Sequence, residues 1–81
     1  MPLRRALTRV QMLPETEAWQ RGRREVGDFV QYRLFLEKFV FVKNKCHWTV
    51  EALADGKIWR RFYVSPDGRS VLPAPRGEEQ Q

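Results

Sequence analysis

Hydrophobic positions along the chain change period twice, and the changes mark its elements. Leu3, Ala6, Leu7, Val10 and Leu13 recur at helical spacing, so residues 1–13 carry an apolar stripe. They form either a mobile arm or a short amphipathic helix packed on the domain. The next stretch, LPETEAWQRGRREVGD, predicts a helix over 14–26. Pro14 suits the first helical position, and Glu15 and Glu17 suit the positive N-terminal end. Arg21, Arg23 and Arg24 lie toward the other end, where cations are favoured, and Gly27-Asp28 offers a stop. Gly22 interrupts this helix, and its apolar face (Ala18, Trp19, Val26) is thin.

Residues 29–42, FVQYRLFLEKFVFV, switch to period two. Val30, Tyr32, Leu34, Leu36, Val40 and Val42 fall on one side, interrupted by Lys38. Phe29, Phe35, Phe39 and Phe41 share the other with Gln31, Arg33 and Glu37. β-branched and aromatic residues dominate, which favours strand. One long strand, two strands broken near Glu37–Lys38, and a continuation of the helix to Leu36 all remain open.

Two turn signals organise the second half. Asp55-Gly56 accepts positive φ at both positions of a two-residue hairpin turn. In Pro66-Asp67-Gly68 the proline sets φ, the aspartate bonds its own backbone and the glycine takes the left-handed position. Strands at about 47–53, 58–65 and 69–72 therefore form an antiparallel meander. The fold class is α+β: a helix from the N-terminal half on an antiparallel sheet of three to five strands. Residues 1–13 are an arm or amphipathic segment, 14–72 a single domain, and 73–81 a Pro-, Gly- and charge-rich tail.

An uninterrupted two-residue turn fixes the pairing of the first hairpin. Leu53 then opposes Ile58, Glu51 opposes Arg60 and Trp48 opposes Tyr63. Trp48, Val50, Ala52, Trp59, Arg61 and Tyr63 share one face, joined by Val71. His47, Thr49, Glu51, Leu53, Ile58, Arg60, Phe62 and Val64 share the other, joined by Leu72. Glu51–Arg60 becomes a structural ion pair worth about a few tenths of a kcal/mol if exposed. Arg61 has no acid opposite and stacks on an aromatic neighbour. Both faces are apolar. The 14–26 helix covers one, and the other needs the N-terminal segment, a second chain or a ligand.

Composition narrows the class. The chain has 81 residues, enough for one small domain, and a single cysteine, Cys46, so no internal disulfide can form. That suits a reducing cytoplasm, although the Arg-rich, acid-free start also resembles an organelle transit peptide. Apolar runs are too short to span a membrane. Fifteen Lys and Arg against ten Asp and Glu give a net charge of +5, which attracts phosphate backbones and acidic protein surfaces.

Catalytic chemistry finds little support. Cys46 and His47 are strand neighbours that point to opposite faces, so they form no dyad. Cys46 is expected as a small buried or half-buried residue, and His47 as a strand-edge polar group. One Cys and one His do not complete a zinc site, and the glycines form no phosphate loop. Glu15, Glu17 and Glu25 suit a solvated helix face. The expectation is a non-enzymatic protein with no metal, cofactor or small-molecule substrate. Basic residues interleaved with aromatics are what remain. Trp48, Trp59, Arg61 and Tyr63, with Lys57 and Arg69 nearby and Arg21, Arg23 and Arg24 on the helix, suit stacking of bases and neutralisation of phosphates. WRRFYVSPDGR after a helix resembles the pattern of small sheet-type DNA-binding domains at the N-termini of some recombinases, and implies the same kind of ligand. The alternative is a protein-interaction module, either a homodimer or an adaptor docking on a larger protein, because Trp, Tyr and Arg also dominate binding hot spots.

Overall fold

In a computed structural model, which describes residues 3–74, the chain folds as α1 (Leu3–Gln11), α2 (Pro14–Glu25), β1 (Val30–Lys38), β2 (Cys46–Ala54), β3 (Lys57–Val64) and β4 (Val71–Pro73). The four strands make one antiparallel sheet in the order β1-β2-β3-β4. Both helices pack on the same face of it, so the fold is α+β. The tail beyond Ala74 lies outside the described residues.

The amphipathic start forms a helix that enters the core. Ala6 and Val10 are fully buried and meet Val50, Phe62 and Val64 of the sheet, with Leu7 and Leu13 packed alongside. Their i, i+4 spacing places both on one face of α1. Pro14 sits at the start of α2, as the sequence predicts, with Glu15 and Glu17 in the first turn and Arg23 and Arg24 in the last. Gly27 adopts φ 83°, which a glycine takes without steric cost. The amides of Gly27 and Asp28 then bond the carbonyls of Arg24 and Arg23 and close the helix.

Residues 29–42 resolve into a strand and a loop. β1 runs to Lys38, where Phe39 turns to φ 71°. A loop over 39–45 then leads into β2, closed by the Phe39 amide on the Lys45 carbonyl at 3.3 Å. The alternation of β1 is as predicted: Tyr32 and Leu34 pack into the helix-side core, whereas Arg33 reaches Glu51 on the other face. Asp55 and Gly56 both take positive φ (55° and 73°), the two-residue turn their sequence signals. At the next turn the Asp67 carboxylate accepts the Arg69 amide at 2.9 Å, and Gly68 adopts φ 75°.

One feature of the sheet departs from the sequence reading and reorders its faces. Ala54–Lys57 and Leu53–Ile58 pair as expected, but Ala52 pairs with Arg60 and not with Trp59. A β-bulge between them places Trp59 and Arg60 against a single residue of β2. Every later pair shifts by one: Glu51 with Arg61, Val50 with Phe62, Thr49 with Tyr63, Trp48 with Val64. The expected face of Trp48, Trp59, Arg61 and Tyr63 therefore does not exist. Trp48 and Trp59 turn toward the helices with Phe62 and Val64, and Arg61 and Tyr63 turn away from them.

The bulge is held from the helix side. Trp59 stacks on Trp19 of α2 with ring centroids 4.4 Å apart and planes within 6°. Its neighbour Arg60 reaches Glu15 of α2 at 2.6 Å and lies 5.2 Å from the Trp59 ring centroid. An unbulged strand would send these two side chains to opposite faces. The bulge lets α2 bind both.

Candidate functional site

The face turned away from the helices is built in rows across three strands. Arg33, Glu51 and Arg61 form one row, and Phe35, Thr49 and Tyr63 the next. Glu37 lies opposite His47, and Leu72 lies beside Tyr63. Neither helix covers this face, and the N-terminal segment expected as one possible cover lies on the opposite side.

Glu51 is the centre of the first row. Its side chain is 4% exposed, and it receives Arg33 Nη2 on Oε1 at 2.8 Å and Arg61 Nη2 on Oε2 at 2.8 Å. Arg61 Nε adds a second bond to Oε2 at 3.0 Å. The predicted partner, Arg60, is on the other side of the sheet with Glu15. Arg61, expected to lack an acid, is gripped by one. The hydrogen bonds to Glu51 raise the Arg61 pKa further, against the opposing effect of burial. Glu15 is likewise no purely solvated helix residue.

A polar chain runs through the second row. The Thr49 hydroxyl donates to Glu37 Oε2 at 2.5 Å, and His47 Nε2 lies 3.3 Å from the same hydroxyl oxygen. With the hydroxyl proton committed to Glu37, Thr49 accepts from His47, which places the ring proton on Nε2. Nδ1 is then an acceptor, and it is buried with no hydrogen-bond partner among the described residues. Burial lowers the His47 pKa, with Glu37 opposing. The ring sits between Tyr63 (5.2 Å, edge-on) and Phe41 (5.9 Å, edge-on), which the 39–45 loop folds back over it. The strand-edge role expected for His47 gives way to a buried one because β2 is an inner strand. Cys46, expected buried or half-buried, is exposed at the start of β2.

The other predicted site residues are dispersed. Trp48 is half-buried against the core beneath α1, and Trp59 is half-buried against α2. Lys57 is exposed beside the Asp55-Gly56 turn. Arg21 and Arg24 are exposed on α2, and Arg23 pairs with Asp28 at 3.0 Å. Arg69 is exposed, and its carbonyl accepts Arg9 Nη2 at 3.2 Å.

Two groups of residues went unassigned in the sequence. Arg33, Glu37, Thr49 and His47 share the open face. The signal was present in the alternation of β1 and β2, but the seven residues between these strands (39–45) set no register that the sequence reveals. The second group is apolar. Phe35, Leu36, Phe39, Val40 and Val42 are all exposed, from 38% for Phe35 to 61% for Phe39. They cluster in sequence at the distal half of β1 and the following loop. β1 is also an edge strand of nine residues with no proline, so one side of its backbone has no sheet partner.

The arrangement balances charge on the open face: Arg33 and Arg61 against Glu37 and Glu51. It offers an unpaired strand edge and an apolar loop beside it. No family model, curated protein or solved structure matches the chain.

Proposed function

We propose that the chain is a non-enzymatic protein-docking module whose contact surface is the outer edge of β1 and the 39–45 loop. One observation carries this reading: five exposed apolar side chains between Phe35 and Val42 lie beside a nine-residue strand with an open edge. Exposed apolar clusters mark interaction surfaces. An open edge accepts a further strand through its free backbone groups. Burying each Phe, Leu or Val of this set contributes about 1.5–3 kcal/mol relative to water, enough in sum to offset the entropy lost on association. The non-enzymatic part is supported by Glu51 and His47. One is neutralised between two arginines and the other is enclosed by two rings, so neither is open to a substrate. A photo-reactive residue placed at Leu36 or Val40 is expected to form covalent adducts with a protein in cells, and one at exposed Glu17 on α2 to form none. Adducts at neither 36 nor 40 overturn the reading.

A second reading, binding to nucleic acid, draws on a different surface from the sheet face the sequence suggested. Arg4, Arg5 and Arg9 are exposed on α1, a helix without acids, and Arg9 reaches across to exposed Arg69. Asp67 intrudes on this group, and hydrogen bonds from Ser65 and the Arg69 amide lower its pKa and keep it ionised. The remaining positive charge suits contact with phosphates. Titration with single- and double-stranded oligonucleotides at low and moderate salt tests it. An Arg5→Glu/Arg9→Glu variant is expected to reduce the slope of log affinity against log salt by about two. Absence of binding by the unaltered chain at low salt removes this reading.

A further inference from the structure

We infer that the partner strand at the β1 edge is β1 of a second copy of this chain, paired antiparallel about Phe35. The inference rests on the docking reading and names its occupant. A two-fold axis normal to the sheet keeps side chains on their own faces, so paired residue numbers must sum to an even value. Among the central registers, the sum of 70 matches chemistry at each pair. Phe35 opposes Phe35 of the second copy. Arg33 opposes Glu37 twice by symmetry, on the same face. Leu34 opposes Leu36 on the helix side. Centring on Leu34 instead opposes Arg33 to Phe35, and centring on Leu36 opposes Phe35 to Glu37. Both of those set a charged group against an aromatic one.

The exposures agree with this pairing. Phe35 is 38% exposed and Leu36 56%, although both lie in a strand. Arg33 and Glu37 are 59% and 43% exposed. Arg33 uses Nη2 on Glu51, and Glu37 uses Oε2 on Thr49, so Arg33 Nε and Nη1 and Glu37 Oε1 remain for a partner. Strand pairing in this register runs from Tyr32 opposite Lys38 through to the reverse pair. It also draws Phe29, 75% exposed before one β1, toward Phe39 and Val40, exposed after the other. The two sheets become one of eight strands with both helix layers on the same side, and the open edge of each β1 is satisfied.

Sedimentation over a concentration series tests this with three variants. The unaltered chain is expected to pass from 9.7 kDa to twice that mass. Phe35→Lys and Phe35→Glu each set like charges against themselves and are expected to weaken the dimer at least about tenfold. An equimolar mixture of the two, one isotopically labelled, is expected to restore a dimer that native mass spectrometry identifies as mixed. Phe35→Cys in a Cys46→Ser background is expected to form an intermolecular disulfide on mild oxidation, and Leu36→Cys in the same background to form none, since its partner is Leu34. This pair keeps the test decisive if a charged variant fails to fold. A chain that stays monomeric, a mixture that does not dimerise, or equal disulfide formation at 35 and 36 overturns the self-pairing. Photo-adducts from 36 and 40 to a different protein alone would retain the docking reading while removing this occupant, and no adducts would remove both.

Discussion

Replacing Phe62 by alanine is expected to destabilise the fold by about 3–5 kcal/mol, measured by urea or thermal unfolding. Phe62 is fully buried, lies at the centre of the cluster with Ala6, Val10, Val50 and Val64, and packs near the Trp59 ring. Helix and sheet meet on this side chain, so its loss leaves a cavity between layers. A chain of 81 residues has roughly 4–12 kcal/mol of stability in total. The variant is therefore expected to be largely unfolded near 37 °C. Phe39→Ala serves as the control: its side chain is 61% exposed, and the expected change is within about 0.5 kcal/mol. Equal effects at 62 and 39 would contradict the core described above.

The second large effect separates two adjacent arginines. Arg61→Ala is expected to cost about 2–3 kcal/mol, and Arg60→Ala no more than about 1 kcal/mol. Glu51 is nearly enclosed, and removal of Arg61 takes both of the bonds to its Oε2 while leaving the carboxylate buried. Arg33 stays at Oε1, which limits the loss below that of a fully orphaned charge. Arg60 pairs instead with Glu15, whose side chain is 44% exposed and can return to water. If Arg60→Ala proved the more damaging change, the bulge at Trp59–Arg60 would be misplaced. An unbulged hairpin makes that opposite prediction, so equilibrium unfolding of the two variants decides the register.

The local parts of the fold were legible because their causes are local. Pro14 and Gly27 delimit α2 through their own φ preferences. Asp55-Gly56 and Pro66-Asp67-Gly68 build their turns from residues within four positions. The alternation over 30–37 assigns the two faces of β1 correctly, because pleating is a property of the strand alone. The apolar stripe of residues 1–13 showed that a helix there would have a face to bury, and Ala6 and Val10 now lie on it.

What failed was every statement that required counting past residue 58 in the hairpin. A two-residue turn predicts pairing only while each strand advances in step, and one extra residue sends all later side chains to the opposite face. Arg61 lost its place beside Trp48 and gained Glu51, and Tyr63 moved to the side of His47. The aromatic–arginine platform on the sheet depended on that count. Arg33 and Glu37 were missed for a related reason, since the 39–45 loop carries no signal that says which residue of β2 they oppose.

The sequence by itself determined the α+β class, the limits of α2, the two turns of the meander and the alternation of β1, each from backbone preferences and patterns within a few residues. The tertiary structure decided the bulge, and through it which side chains share a face. The physical reason lies in α2: Trp19 and Glu15 are distant in sequence from Trp59 and Arg60, and only their packing in three dimensions holds both β3 side chains on the helix side.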